Sequence, residues 1–330
     1  MKKNKSLLLL LILIASLLLV AQSVYSDEGK AEAVTLNVMG EEITYEKIPE
    51  KVVVVGYENV ENMALLGLED KVVGFTPCMY LPEHVYPELL KKMDNLKVLP
   101  EVVRGVPGME TVLAEGADMV YGQSYHFAEA SSTKVATLKD LLQNNIYPYA
   151  TVGSYGDSPD LDVVYKELEN LGKIFRVEER AAQEIEKLKS KQESVEEKLK
   201  GFEPKTAFVF DFQDKTGIMT PGGTGFQNNL LKRAGLKNVF DNFQSDFDVA
   251  THEQILLANP EYIVFIEYFT AGEADEKIEY IESIPELQGV EAIKNKNYII
   301  LTGIEYFPSL HNFDAIEKMA REAHKDIFEK

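Results

Sequence analysis

"KVVVVGYENVENMALLGLEDKVVGF", residues 51–75, runs from an all-apolar stretch through Gly56 and a polar turn into a segment of helical spacing, then into a second apolar stretch. This order reads as strand, turn, helix, strand. A strand apolar on both faces belongs to a parallel sheet covered on both sides. Many nucleotide sites begin this way, but a dinucleotide site needs G-x-G-x-x-G so that backbone can close on the pyrophosphate. "GYENVE" has one glycine, then Tyr57, and the acids Glu58 and Glu61 stand where a helix start would hold a phosphate. Carboxylates there repel it. The stretch therefore predicts the first parallel strand of an α/β sheet, with Tyr57 at its C-terminal end as one wall of a cleft. Glu61 has two readings: it caps and solvates the helix, or it turns toward a ligand.

The same alternation continues outward. A hairpin is expected over 34–50, helices over 108–115 and 134–144, and strands over 118–121 and 147–151. Residues 158–202 break the pattern, with no strand-like run and helical spacing of Leu161, Val164, Leu168 and Leu171. From Arg176 to Lys200 the Glu/Lys/Gln/Ala composition predicts one long helix of about 25 residues, closed by Gly201 and Pro204. The α/β pattern then restarts with strands over 205–212, 262–268 and 297–302, helices over 225–234, 252–258 and 273–283, and a last helix over 310–328. The expected organisation is an N-terminal lobe over 34–157, a helical linker over 158–202 and a C-terminal lobe over 203–330.

Ahead of the first lobe, Lys2, Lys3 and Lys5 precede an apolar run from Leu7 to Ala21 and a small-residue stretch ending at Ser26. This has the layout of a secretory signal over 1–26, too short for the roughly 20 residues of a spanning helix. Cleaved secretion and retention as an anchor both stay open. The sole cysteine, Cys78, excludes an intrachain disulfide and leaves no lipid-attachment cysteine near the cleavage region. A net charge of −20 argues against nucleic acid, whose phosphates it would repel.

No catalytic set emerges. "TPGGTGFQNN" (220–229) lacks the Gly-Lys-Ser/Thr ending of a P-loop, and "GQSYH" (122–126) is not a nucleophile elbow. The five histidines form no H-x-x-x-H pair, though His126 and His311 follow strand ends and could face one cleft as a free metal-ion site. An extracytoplasmic enzyme on the same fold is the reading from another class. What does recur is aromatic and polar residues together just past the strand ends, the lining that holds an organic ligand. Tyr57, Tyr80, Tyr125, Tyr155, Tyr268 and Tyr306 are the candidate walls, Gln123, Gln213 and His126 the hydrogen-bonding set, and Arg104 the partner for an anionic part of the ligand.

Four segments in order carry a family resemblance: "IPEKVVVVGYENVENMALLGLEDKVVGF" (48–75), "PGMETVLAEGADMVYG" (107–122), "GGTGFQNNLLKRAGLKNVFDN" (222–242) and "VATHEQILLANPEYIVF" (249–265). They resemble the class III substrate-binding proteins of ABC importers for iron–siderophores, haem and vitamin B12. The resemblance implies two mostly parallel-sheet α/β lobes joined by one rigid helix, and capture of an iron–siderophore or related metal chelate without catalysis or a resident cofactor. It also implies a monomer held outside the cytoplasm, with an ABC permease and its ATPase as partners. By motif position, Glu110 and Glu253 would dock into permease arginines. Arg104-Gly105 stand where a haem-binding branch places its methionine ligand, and tryptophan, common in B12 pockets, is absent.

Overall fold

The computed structural model describes residues 32–329, apart from 79, 103, 157 and 158. The expected signal over 1–26 lies outside the described residues.

The chain begins with an antiparallel hairpin, β1 (Val34–Val38) and β2 (Glu41–Tyr45), turning through Met39 and Gly40, both at positive φ. That pair of conformations matches the twist of a two-residue hairpin turn. The first lobe is then built from β3 (Val52–Val55), α1 (Tyr57–Leu65), β4 (Val72–Thr76), α2 (Pro87–Met93), α3 (Met109–Ala114), β5 (Met119–Gly122), α4 (Leu138–Gln143) and β6 (Tyr147–Ala150). Its four strands are all parallel in the order β4-β3-β5-β6. The chain leaves β3 toward β4 on one side and returns to β5 on the other, so a crevice opens at the carboxyl ends of β3 and β5. The α4 helix starts later than the sequence suggests, because Thr137 and Asp140 form a reciprocal cap.

Two helices, rather than one, carry the chain out of this lobe: α5 (Asp162–Phe175) and α6 (Glu178–Leu199). Arg176 adopts a left-handed conformation (φ 59°) and turns the chain between them. A residue of ordinary helical propensity takes a position usually given to glycine, and it stands where the Glu/Lys/Gln/Ala composition begins. Gly172 permits the close approach of the pair, since a Cβ there would lie 2.8 Å from that of Ala181. The α6 helix buries only Ala181, Ile185 and Val195, in keeping with its polar composition.

The second lobe comprises β7 (Lys205–Phe210), β8 (Gln213–Asp214), β9 (Gly217–Pro221), α7 (Phe226–Arg233), β10 (Leu236–Asn238), β11 (Phe247–Ala250), α8 (His252–Ala258), β12 (Tyr262–Glu267), α9 (Glu273–Glu282), α10 (Glu291–Asn295), β13 (Tyr298–Thr302), α11 (Gly303–Tyr306) and α12 (Asn312–Ala323). The order β10-β7-β12-β13 is again parallel, with its switch between β7 and β12. Alternate residues of β7 serve two cores. Ala207 and Val209 face the apolar body shared with the first lobe, while Phe208 and Phe210 face a second cluster with Phe265 and Ile281.

The segment between the strand expected over 205–212 and the helix expected over 225–234 is partly sheet. β8 and β9 form a hairpin extended by β11. Its glycines serve backbone packing: a Cβ on Gly222 or Gly223 would lie 2.1 or 2.0 Å from the carbonyls of Ser245 and Asp241. Their N–H groups donate to Asp246 and Phe243 carbonyls, so none is left for a phosphate. The expected last helix is likewise interrupted, at His324, by a short helix over Lys325–Phe328.

Candidate functional site

The wall contributed by the first lobe is set by α1. This helix is buried almost all round, including Glu58, Asn59, Glu61 and Asn62. Buried polar groups need partners, and three of the four have no solvent-shielded side-chain atom left without one. The Asn59 amide donates to the Val55 carbonyl (2.7 Å), and its oxygen accepts from the Thr151 hydroxyl (2.9 Å). Asn62 donates to the Tyr121 hydroxyl (2.9 Å). Glu61 accepts from the Tyr86 N–H (2.9 Å) and meets His311 Nε2 of the second lobe at 2.8 Å.

Glu58 differs. Its Oε1 accepts from Gln123 Nε2 (2.8 Å), while its Oε2 has no partner and is shielded from solvent. Gly56, at φ 96°, is what allows this: a Cβ there would lie 2.5 Å from the Glu58 carboxylate. Burial pushes the Glu58 carboxyl up to about 7, against the lowering effects of Gln123 and of its own backbone N–H.

Glu58, Cys78, Tyr80, Gln123, Tyr125 and Ser154 line a cavity of about 330 Å³ closed on the other side by Phe307 and Pro308. All stand just past the carboxyl ends of β3, β4, β5, β6 and β13. The Cys78 thiol is buried, and burial raises it to about 12.

The second lobe brings mostly rings. Phe212, Met219, Phe247, Tyr268, Phe269 and Phe307 line an adjoining space of about 420 Å³ with Asp211 and Glu273. Asp211 accepts from the Tyr268 hydroxyl (2.5 Å), and burial raises its carboxyl to about 6. Glu273 accepts from the Tyr268 N–H (2.9 Å) and pairs with Lys277 (2.7 Å). Lys277 in turn donates to the Asp211 carbonyl (2.7 Å). Gly303 lets the lobes meet, since a Cβ there would lie 2.6 Å from the Tyr268 ring and 3.0 Å from that of Tyr80.

A third space of about 570 Å³ continues past Cys78 to Arg104, Glu101, Thr133 and Phe269. Glu101 accepts from the Gly105 N–H, and the left-handed Arg104–Gly105 pair sets this loop. The first and third spaces share Cys78 and Tyr125, the second and third Phe269, and the first and second Phe307, so the three form one cleft between the lobes. A concavity of about 890 Å³ lies elsewhere, between β2 and α4, but it is edged by Glu41, Glu42, Lys139 and Asp140, away from both switch points.

Of the residues named from sequence, Tyr80, Arg104, Gln123, Tyr125 and Tyr268 line this cleft. The others do not. The Tyr57 ring turns inward against Phe75 (centroids 5.6 Å apart) and is buried. Tyr155 donates to the Asn37 carbonyl (3.2 Å), tying its loop to the β1–β2 hairpin. Gln213 is exposed on β8. Tyr306 is buried and its neighbour Phe307 faces the cleft instead.

His126 is fully buried, its Nδ1 accepting the Gln123 N–H (2.9 Å) against Gly122, and burial lowers it to about 3. His311 is committed to Glu61 and stacks on Tyr86 (3.9 Å). The shared metal site therefore fails, because both rings are turned into the interior. Glu110 and Glu253 are exposed in the first turns of α3 and α8, one on each lobe.

Sequence reasoning missed Glu58 as a lining residue, although it had noted the acid at the helix start. An acid where a helix is buried all round was the available signal. Asp211, Phe212, Met219 and Phe247 went unnoticed because the β8–β9 hairpin that brings them together was read as loop.

The family model described as periplasmic binding protein matches residues 52–304. Among curated proteins, the chain is similar to the uncharacterized ABC transporter substrate-binding lipoprotein YvrC of Bacillus subtilis, 25% identical over 88% of this chain and 85% of that protein. It is also similar to the petrobactin-binding protein YclQ of the same organism, 25% identical over 86% of this chain and 84% of the other. Among solved structures it resembles a periplasmic binding protein from Veillonella parvula (TM-score 0.79, 24% identity, 90% of this chain and 99% of that one). It also resembles a protein of an ABC-type Fe3+-hydroxamate transport system from Saccharomonospora viridis (TM-score 0.71, 19% identity, 88% and 98%).

Proposed function

The chain belongs to the periplasmic binding protein family, as the substrate-binding component of an ABC importer rather than an enzyme, and we propose that its ligand is an iron–siderophore or related metal chelate held in the interlobe cleft. The observation that carries this reading is the cleft itself. It joins two switch points, spans spaces of about 330, 420 and 570 Å³, and combines aromatic contact area with a few polar groups, as an organic ligand requires. Two similar proteins support the chelate class: one is a petrobactin-binding protein, and the other belongs to an Fe3+-hydroxamate transport system. Arg104, exposed at the mouth, would meet an anionic part of the ligand.

Native mass spectrometry of the protein purified from its own host tests this. A co-purified organic chelate, lost from a Phe307→Ala variant, is the expected result; a bare ion or a metal-free metabolite overturns it. Delivery depends on a permease and its ATPase. We place Glu110 and Glu253 at that contact, where a carboxylate on each lobe can pair bidentately with arginine. The double variant Glu110→Arg with Glu253→Arg should abolish uptake while ligand affinity stays unchanged. Undiminished uptake removes the docking assignment.

A further inference from the structure

We infer that Glu58 is the specificity-determining residue of the cleft, and that the buried end of the ligand carries a hydrogen-bond donor or a cationic group that meets its free carboxylate oxygen. The inference rests on the cleft being the ligand site and goes further by stating the chemistry of one end of the ligand.

The carboxylates around the cleft are Glu58, Glu101, Asp211 and Glu273. Glu101 receives a backbone N–H, Asp211 a phenol, and Glu273 two backbone N–H groups and an ammonium. Among these described residues, Glu58 alone keeps an oxygen that is both shielded from solvent and without a partner, in a residue that is 7% exposed. A buried acceptor left unsatisfied costs on the order of 1–3 kcal/mol, and more if charged. Such a group in a binding cleft is satisfied when the ligand arrives.

The sign of the missing partner is fixed by the surroundings. Glu61 and Glu167 add to the burial that raises the Glu58 carboxyl to about 7, so the unliganded protein holds it partly protonated at neutral pH. A cationic or donor group on the ligand would draw it to the carboxylate form. A carboxylate or catecholate oxygen at this depth would face acids on several sides with no compensating cation. The one basic residue of the lining, Arg104, is exposed at the mouth. The cleft thus orients an unsymmetrical ligand, with its donor end inward at Glu58, its rings or apolar arms against Phe307 and Phe269, and any anionic part outward. Specificity of this kind is strong, because an analogue lacking the donor leaves the buried acceptor unpaired.

The test uses one ferric trihydroxamate core with three terminal groups: ammonium, acetamide or carboxylate. Calorimetry on the full chain should give the ammonium form at least tenfold tighter than the carboxylate form, with the acetamide between them. Glu58→Gln should erase the ranking, and Glu58→Asp, which keeps the charge but withdraws it, should weaken it. Tighter binding of the carboxylate form, or a ranking that survives Glu58→Gln, overturns the proposal. If none of the three complexes binds, the chelate reading fails and the Glu58 inference is judged separately by thermal shift with benzylamine against benzoate. A rise with benzylamine alone, lost in Glu58→Gln, supports it. Equal responses to both compounds, including no response, overturn it.

Discussion

The first lobe meets the cleft with groups that donate and accept: Glu58, Gln123, Ser154, Cys78 and Tyr125. The second meets it with Phe212, Phe247, Phe269 and Phe307, its acids tied up by Tyr268 and Lys277. Both lobes have the same parallel four-stranded plan, with the cleft at the same end of each sheet. The difference arises just past the first parallel strand of each lobe. In the first lobe a short glycine turn leads directly into a buried helix whose polar residues face inward. In the second, the β8–β9 hairpin intervenes, and the rings stand around it: Phe212 just before β8, Phe247 on the neighbouring β11, and Phe269 and Phe307 past the ends of β12 and β13. One wall is thus suited to reading polarity and the other to supplying contact area.

The largest effect is expected where the two walls are held in register. Glu61 and His311 bridge the lobes, with Tyr86 stacked on the imidazole and donating to Asp314, which also takes Lys191 from α6. Removing one partner of a buried pair costs about 3–5 kcal/mol. Glu61→Ala should therefore lower Tm well beyond any cleft substitution and loosen the interlobe angle in small-angle scattering. A variant as stable and compact as the parent would show that the walls are positioned by the remaining contacts alone.

Next come the rings. Phe307→Ala should weaken ligand binding about 10- to 100-fold, equivalent to roughly 1.4–2.8 kcal/mol. Phe269→Ala should weaken it less and leave stability within about 0.5 kcal/mol, because the ring is 62% exposed. Calorimetry and thermal melts on the same samples separate the two effects. Equal losses of stability would make Phe269 a packing residue rather than a wall.

A smaller effect lies in the pH dependence of the unliganded protein. Glu58 is raised from 4.5 to about 7, mainly by burial. Between those values the folded chain keeps a proton that the unfolded chain has lost, so this group makes stability fall as pH rises from about 4.5 to about 7. Glu58→Gln should flatten that fall, leaving the share of Glu167, raised to about 7 by the same cause. An unchanged slope in denaturant titrations would mean that Glu58 is solvated. The smallest change is expected from Tyr306→Phe, whose hydroxyl is buried without a partner. It should be neutral or slightly stabilising, and a clear loss of binding would return Tyr306 to the wall.

The alternation of apolar runs with helical spacing made both lobes legible, since strands such as Val52–Val55 are buried on both faces and helices must cover them. Side-chain direction at the strand ends was not legible. Tyr57 and Tyr306 sit one residue away from Glu58 and Phe307, and that single step decides which side chain faces the cleft. The Glu61–His311 pair joins residues 250 positions apart, so no local pattern could settle whether Glu61 faced solvent, ligand or the other lobe. It faces the other lobe.

The most direct measurement is a crystal structure of the protein carrying the ligand it retains from its own host. The account predicts the ligand between Glu58 and Phe307, with a donor within hydrogen-bond distance of Glu58 Oε2 and a ring or apolar arm on the second lobe. A ligand in the concavity edged by Glu41 and Lys139, or one that presents an anionic oxygen to Glu58, would contradict it.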